Sequence, residues 1–267
     1  MPRSNVRESV IATRHPSPET RQLREALKRL LSLPLSNFTP DAPRDRNGHP
    51  LKLGAVKWGV YAFLDFDAEP IYVGQTRESL GARIRRHLTN QRTDAVAMSV
   101  LDPFEVRFVR LWPLPELQGV GGKPKENPHA RAAADRLNSL ERAVFLQLVE
   151  ASRFGKILNE KDPPDVTVCA VPEPIEYDII PEEVLTAREH PDVRIARRAQ
   201  TLARLSAIIS GREVAGGLRR AMVTQAERLV WLSRERFEAL GGETLVEHRS
   251  ADEPTETALG GRNSSEE

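Results

Sequence analysis

Two tyrosines, an arginine and a histidine stand close together in the stretch from Gly59 to Asn90. Tyr61 lies in one segment of alternating apolar residues and Tyr72 in the next, which is the period of half-buried strands. Arg83 and His87 stand four residues apart, so a helix places them on one face. The spacing therefore predicts four side chains that converge on a single ligand from three adjacent elements.

A β-hairpin followed by a helix is expected to position these residues. Residues 60–66 alternate, residues 67–70 break the period, and residues 71–73 resume it. Thr76 is expected to cap the helix that follows. That helix carries an i, i+4 apolar stripe made of Leu80, Ile84 and Leu88.

A carboxylate lies on the apolar flank of the most regular helical pattern, residues 129–151. Glu141 is surrounded at helical spacing by Leu137, Val144 and Phe145. A buried carboxylate without a partner is costly, and it usually pairs, takes up a proton or binds a metal ion. No basic residue stands three or four positions away on the same helix. Spacing alone leaves two partners open, which are a metal ion and an arginine from another element.

The hairpin and its helix resemble the GIY-YIG nuclease family. The first half-motif appears as Gly59-Val60-Tyr61 and the second as Tyr72-Val73-Gly74, with ten residues between them. The arginine that the family places on the following helix matches Arg83, and the histidine that some members carry one turn later matches His87. Neither half-motif is specific alone, but their spacing and the downstream residues make the resemblance specific.

The resemblance covers about residues 56–160 and extends to two further site residues. The family's metal-binding glutamate, on the helix after the third strand, matches Glu141, and the asparagine beyond that helix matches Asn159. The implied fold is of the α/β (α+β) class, a sandwich with a small three-stranded sheet flanked by helices. The alternation at residues 104–112, which predicts a third strand, agrees with that order.

The activity that the resemblance implies is hydrolysis of DNA phosphodiester bonds with Mg²⁺, or with Mn²⁺ as the alternative. Glu141 would hold the ion, which favours oxygen ligands, few of them from protein. Arg83 would bind the scissile phosphate with its planar, permanently charged fork.

For each of the remaining site residues, the resemblance implies a less specific role. Tyr61 would act as general base or would orient water, although a tyrosine pKa of about 10 requires help from the arginine and the metal. Tyr72 would position water or phosphate. His87 would assist proton transfer or bind phosphate, and Asn159 would hold local geometry or bond the phosphate.

Composition limits the kind of protein. The 267 residues carry a net charge of +1, so a nucleic-acid site would have to be local. The single Cys169 excludes an internal disulfide and fits a reducing cytoplasm. No apolar run approaches the roughly 18 residues of a membrane span, and Met1 opens no signal peptide. We expect a cytoplasmic protein with no membrane partner.

Five segments are predicted along the chain. They are an N-terminal arm, helix and loop (1–53), a nuclease domain (54–162), a proline-rich linker (163–181), a helical C-terminal region (182–249) and a disordered tail (250–267). Ser17 is expected to cap a helix that ends near Leu31. Within the linker, residues 166–171 are the candidate for an edge strand.

The helical C-terminal region is locally basic. A solvated helix face is favoured over a DNA-docking face. The arginines concerned are Arg194, Arg197, Arg198, Arg204, Arg212, Arg219 and Arg220.

Three functions are compatible with the sequence. The leading one is a metal-dependent DNA endonuclease, of a restriction-like subtype, because a compact core with flanking helices suits a homodimer that cuts both strands. Repair and mobile-element enzymes stay open within it. The alternative is a non-catalytic nucleic-acid-binding or protein-interaction module, which replacement of Arg83 or Glu141 would indicate; both are retained. An RNA-directed nuclease is the third, although no feature of the sequence indicates recognition of a 2′-hydroxyl.

Overall fold

The computed structural model describes residues 17–89 and 100–243, apart from positions 212 and 215. The predicted arm at residues 1–16 and the predicted tail at 250–267 lie outside these residues. The described strands are β1 (Gly59–Leu64), β2 (Pro70–Thr76), β3 (Phe108–Pro113) and β4 (Ile175–Asp178). The described helices are α1 (Pro18–Ser32), α2 (Leu80–Leu88), α3 (Pro128–Ala151), α4 (Glu182–Glu189), α5 (Pro191–Gly211) and α6 (Gly216–Ala239).

The strands form one antiparallel sheet in the order β2-β1-β3-β4. The predicted α/β class with added N-terminal and C-terminal helices is confirmed, but the sheet has four strands where three were expected. The edge strand predicted at residues 166–171 is wrong, since the fourth strand lies at Ile175–Asp178. Its register is supported by the cross-strand ion pair Arg110–Glu176 at 2.6 Å, and Arg107, directly before β3, pairs with Asp178 at 2.9 Å.

Both faces of β1 are buried, so the expectation of a half-buried strand is wrong here. Tyr61 and Phe63 point into the core shared with α1 and α2. Val60, Ala62 and Leu64 point into a second core formed with α3. Alternation along β1 therefore separates two apolar cores, and the tyrosine belongs to the α2 side.

The helix ends show why α2 starts where it does. The hydroxyl of Ser79 accepts a hydrogen bond from the Ala82 amide at 3.0 Å and is the N-cap. Thr76, the predicted cap, accepts from the Glu78 amide at 3.1 Å and instead shapes the turn out of β2. The cap predicted at Ser17 is confirmed, because its hydroxyl accepts from the Thr20 amide at 3.2 Å.

A buried carboxylate joins the hairpin turn to the C-terminal helices. One oxygen of Asp65 accepts from the amides of Asp67 and Glu69, at 2.8 and 3.0 Å, and closes the turn. Its other oxygen accepts from Arg198 of α5 at 2.9 Å and from Arg228 of α6 at 2.6 Å. Asp65 and these two arginines are at most 2% exposed, so this contact is interior structure.

The predicted solvated face of the C-terminal region is therefore wrong for two of its arginines. Arg198 also donates to Glu105 at 2.9 Å, and Arg194 pairs with Asp67. Arg194 is 3% exposed and Arg198 is 1% exposed. These two arginines form ion pairs inside the protein, so they are not available to bind a nucleic acid. Among the described helices, none is long and apolar enough to cross a membrane.

Candidate active site

The structure brings Tyr61, Tyr72 and His87 together on the α2 side of the sheet. The Tyr61 hydroxyl lies 2.9 Å from Nε2 of His87. The rings of Tyr72 and His87 are 5.0 Å apart between centroids, and those of Tyr61 and Tyr72 are 6.2 Å apart. The convergence predicted from spacing is present, because α2 crosses the hairpin on the face to which both tyrosines point.

Arg83 adjoins this group from one turn earlier on α2. Burial lowers its pKa, but the neighbouring tyrosines and Glu78 together hold the pKa above the usual value. Its Nε is buried and has no hydrogen-bond partner among the described residues. The guanidinium is therefore charged and retains donor capacity toward an anion.

Gly74 leaves the space that the tyrosine hydroxyl fills. Gly74 pairs with Tyr61 across the strands. A Cβ at this position would lie 2.5 Å from the Tyr61 hydroxyl oxygen and 2.9 Å from a ring carbon of Tyr72. The last residue of the second half-motif must therefore be glycine for a steric reason.

Burial decides the protonation of the group. It raises the pKa of Tyr61 well above its ordinary value and also raises the pKa of Tyr72. Burial, with the charges of Arg83 and Arg86, lowers the pKa of His87 to about 4. At neutral pH the imidazole is uncharged and the tyrosines carry their protons.

Glu141 reaches the β2 edge from α3, on the other face of the sheet. It is 8% exposed, and its Oε2 accepts from Nε2 of Gln75 at 2.9 Å. Gln75 also donates to Asn138 at 2.9 Å. Burial raises the pKa of Glu141 to about 7, although Gln75, Arg83 and Arg77 act in the opposite direction. Within the described part of the chain, no arginine or lysine forms an ion pair with Glu141, and Gln75 is its hydrogen-bond partner.

Oxygen atoms beside Glu141 suit a hard cation. Oε1 of Gln75 is buried without a hydrogen-bond partner among the described residues and sits on the amide that contacts the carboxylate. No group of three or more His, Cys, Asp or Glu that could hold a metal occurs in the described ranges. Mg²⁺ is commonly bound through one or two carboxylates, with water and substrate phosphate completing the shell. One carboxylate and a free amide oxygen fit that pattern, and they do not fit a closed zinc site.

Gln75 is a site residue that sequence reasoning missed. It follows Tyr72-Val73-Gly74 directly, and strand alternation places it on the same face as Val73, which packs toward α3. That alternation was the available signal.

The Asn159 side chain forms hydrogen bonds with the outer edge of β2, the edge that does not pair with β1. Its side-chain oxygen accepts from the Val73 amide at 3.0 Å, and its amide donates to the Val73 carbonyl at 2.9 Å. The adjacent Leu158 donates to the Ile71 carbonyl at 2.8 Å. The Val73 backbone occupies the oxygen and one N–H of the amide, and this geometry supports the local-positioning role.

Residues 57–116 match the family model described as the GIY-YIG catalytic domain. This part of the chain is therefore similar to GIY-YIG nucleases, in agreement with the resemblance inferred from the two half-motifs. No curated protein and no solved structure matched the chain. Members of this family are generally endonucleases that use divalent metal ions. The matched range includes Tyr61, Tyr72, Arg83 and His87, whereas Glu141 and Asn159 lie beyond it.

Proposed function

We propose that this protein is a metal-dependent endonuclease that hydrolyses DNA phosphodiester bonds. The observation that carries the proposal is the Tyr61–His87 hydrogen bond beside a charged Arg83, within electrostatic range of Glu141, a buried carboxylate that forms no ion pair among the described residues. Hydrolysis needs a route for the proton of water, a counter-charge for the phosphate and support for the leaving oxygen. These residues offer a group for each need.

The proton leaves the attacking water through Tyr61 and His87. A phenol with a raised pKa is a poor base in isolation, so Tyr61 does not deprotonate water unaided. Its oxygen can accept from water while its own proton passes to the uncharged imidazole at 2.9 Å. This relay supports the water-orienting role for Tyr61 and the proton-transfer role for His87.

Arg83 binds the scissile phosphate. Its planar fork presents several donors, and Arg83 is only partly buried, so the guanidinium can donate to a phosphate oxygen. The Tyr72 ring packs against the His87 ring, with the ring centroids 5.0 Å apart. An exposed second arginine, Arg77, lies over the Trp58 ring at 5.8 Å and is close enough to influence the pKa of Glu141. It supports binding of the DNA backbone beside the scissile group.

Glu141 and Gln75 would hold the Mg²⁺ ion through carboxylate and amide oxygens. When bound, this ion supplies positive charge that stabilises the phosphate and the departing 3′ oxygen. Glu141 must first lose its proton, which its pKa of about 7 permits near neutral pH. Gln75 orients the carboxylate with its Nε2 donor and keeps Oε1 for the ion. Mn²⁺ is compatible with the same oxygen donors.

Within this class we propose a restriction-like enzyme that acts as a homodimer in the cytoplasm. Compact flanking helices around one catalytic domain support cutting of both strands by two copies. The single Cys169 supports a reducing compartment.

Nicking of supercoiled plasmid DNA with Mg²⁺ tests the proposal. Wild type is compared with Tyr61→Phe and Glu141→Ala, which we expect to lose most of the rate, and with Gln200→Ala, an exposed glutamine on α5 that we expect to keep it. Discrete fragments support a restriction-like enzyme, and a smear supports repair or structure-directed cutting. Equal cutting by all proteins would show that the site is wrong. If wild type binds DNA or RNA without cutting either, the protein is a non-catalytic binding module.

A further inference from the structure

An exposed apolar stripe follows α6 on the side away from the core. Val223, Val230 and Phe237 stand at intervals of seven residues and are 49%, 49% and 45% exposed. Leu218 and Leu232, on the opposite side of the same helix, are buried. A seven-residue repeat places side chains on one helix face, and contiguous exposed apolar residues mark an interaction surface.

A groove between α5 and α6 adjoins this stripe and enlarges the apolar surface. Its volume is about 620 Å³, and Leu202, Met222, Ala226 and Trp231 line its apolar part. The stripe from Val223 to Phe237 extends about 21 Å at 1.5 Å per residue. Stripe and groove together, here called the α6 seam, offer the surface that a second helix covers.

Two charged residues border the α6 seam and indicate which helix covers it. Glu227 and Arg234 lie seven residues apart, both on the same edge of the seam. If Val223 and Val230 are taken as heptad position a, both charges occupy position e. In an antiparallel pair of identical helices, the e edges of the two helices face each other. Glu227 then meets Arg234 of the second copy, and symmetry repeats the contact. Arg234 already has a contact within its own chain, and its five N–H donors leave capacity for this second one.

A parallel pair would lack this complementarity. There the facing edge is position g, which Met222, Leu229 and Arg236 occupy on α6, and Arg236 is already paired with Asp192. Charges at the edges of helix pairs set partner and orientation. The charges are therefore self-complementary in one orientation only. Glu227 accepts from Lys156 at 2.9 Å through Oε1, and its second carboxylate oxygen supplies the further contact.

We propose that two copies of this chain form a homodimer by antiparallel packing of α6 on α6 along the α6 seam. The interface is isologous, as expected for a two-fold dimer. The inference adds an interface to the proposed function but does not depend on catalysis. Oligomeric state is measured without DNA or metal, so failure of one proposal leaves the other intact.

Sedimentation velocity and light scattering across a dilution series test the interface. We expect wild type to show twice the 29.9 kDa chain mass at high concentration. Val230→Asp places two like charges in the seam, and we expect dissociation to become at least about a hundredfold easier. Val168→Asp is the matched control, because Val168 is 48% exposed and lies outside the seam. It is expected to leave the dimer unchanged.

Charge reversal tests the orientation without changing an apolar residue. Glu227→Arg and Arg234→Glu each place like charges opposite one another, and each is expected to weaken the dimer about tenfold. The double variant restores both pairs in the antiparallel arrangement, so it is expected to return toward wild-type affinity. Thermal melts of each variant verify that it is folded, and the reversal set decides the matter if Val230→Asp does not fold.

Three results would overturn the proposal. The first is a wild-type chain that stays monomeric at every concentration, because another segment of the chain or a different protein would then cover the seam. The second is a dimer that Val230→Asp and the reversals leave intact. The third is a double reversal as weak as the single ones, which contradicts the antiparallel pairing.

Discussion

The Tyr61 hydroxyl and Nε2 of His87 lie 2.9 Å apart in a buried pocket where the imidazole is uncharged at neutral pH. The two groups are placed to share one proton. Tyr61 is fully buried and has a raised pKa, whereas the uncharged His87, which is 8% exposed, can accept its proton. Their contact makes a proton relay the role that this geometry supports.

Interrupting that relay should reduce the chemical step and leave DNA binding intact. Positioned acid–base groups contribute about 10²–10⁴-fold, so we expect Tyr61→Phe and His87→Gln each to lower kcat by about a hundredfold. The double variant should be little worse than either single one, because both act on the same proton. Single-turnover cleavage measures the rate, and gel-shift binding without metal is the control. Additive losses would contradict a shared path.

Cleavage at limiting Mg²⁺ should rise with pH through about 7, where Glu141 loses its proton. A bound ion favours the ionised carboxylate, so more Mg²⁺ should move the midpoint of this rise to lower pH. The measurement is the pH profile of kcat/KM at several Mg²⁺ concentrations. A midpoint that does not move with Mg²⁺ would assign the titration to another group.

Stability of the metal-free protein should carry opposite contributions from Glu141 and His87. The folded pKa of Glu141 is raised from 4.5 to about 7, so its contribution is present below pH 4.5 and is lost as pH rises through 7. The folded pKa of His87 is lowered from 6.5 to about 4, so its contribution is present above pH 6.5 and is lost as pH falls through 4.

Glu141→Gln removes the Glu141 contribution to the pH dependence of stability, so the His87 contribution should be seen alone. We expect the variant to gain stability steadily from pH 4 to 6.5, and to exceed wild type at pH 8 by up to about 3 kcal/mol. Urea unfolding in the presence of a chelator measures both. The prediction fails if the variant is less stable than wild type at pH 8.

Gln75→Ala should weaken metal binding without unfolding the protein. The amide orients Glu141 and has an unpartnered buried oxygen, and loss of such a supporting group typically costs 10–100-fold in affinity. The Mg²⁺ dependence of the melting temperature gives the affinity directly. Gln200→Ala, on an exposed helix face, should behave as wild type. Equal Mg²⁺ affinity in both variants would remove Gln75 from the site.

Asp65→Asn should weaken the attachment of the C-terminal helices to the hairpin. The change leaves Arg198 and Arg228 buried without their shared carboxylate, and breaking a buried pair costs about 3–5 kcal/mol. The control is Asp165→Asn, because Asp165 is 97% exposed and pairs with Arg142 only at 3.5 Å. Its effect should be within about 0.5 kcal/mol. Urea unfolding compares the two, and an equal effect would mean that the buried network does not anchor α5 and α6.

Local patterns predicted much of the architecture. The cap at Ser17, the helix at residues 129–151 and the order of hairpin, helix, strand and helix are decided by neighbours along the chain, so spacing was sufficient. The convergence of Tyr61, Tyr72 and His87 followed from the same spacing, because alternation and helix period determine the direction of each side chain.

Distant contacts decided the rest. Strand β4 has four residues, too few to show a period, and it is defined by pairing with β3. Gln75 acquires its role from Glu141 across the sheet, and Arg198 is buried only because Asp65 and Glu105 meet it there. The sequence by itself determined which residues could do chemistry and on which elements they lie. Only the tertiary structure decided which charges are buried, since burial depends on partners that no local pattern identifies.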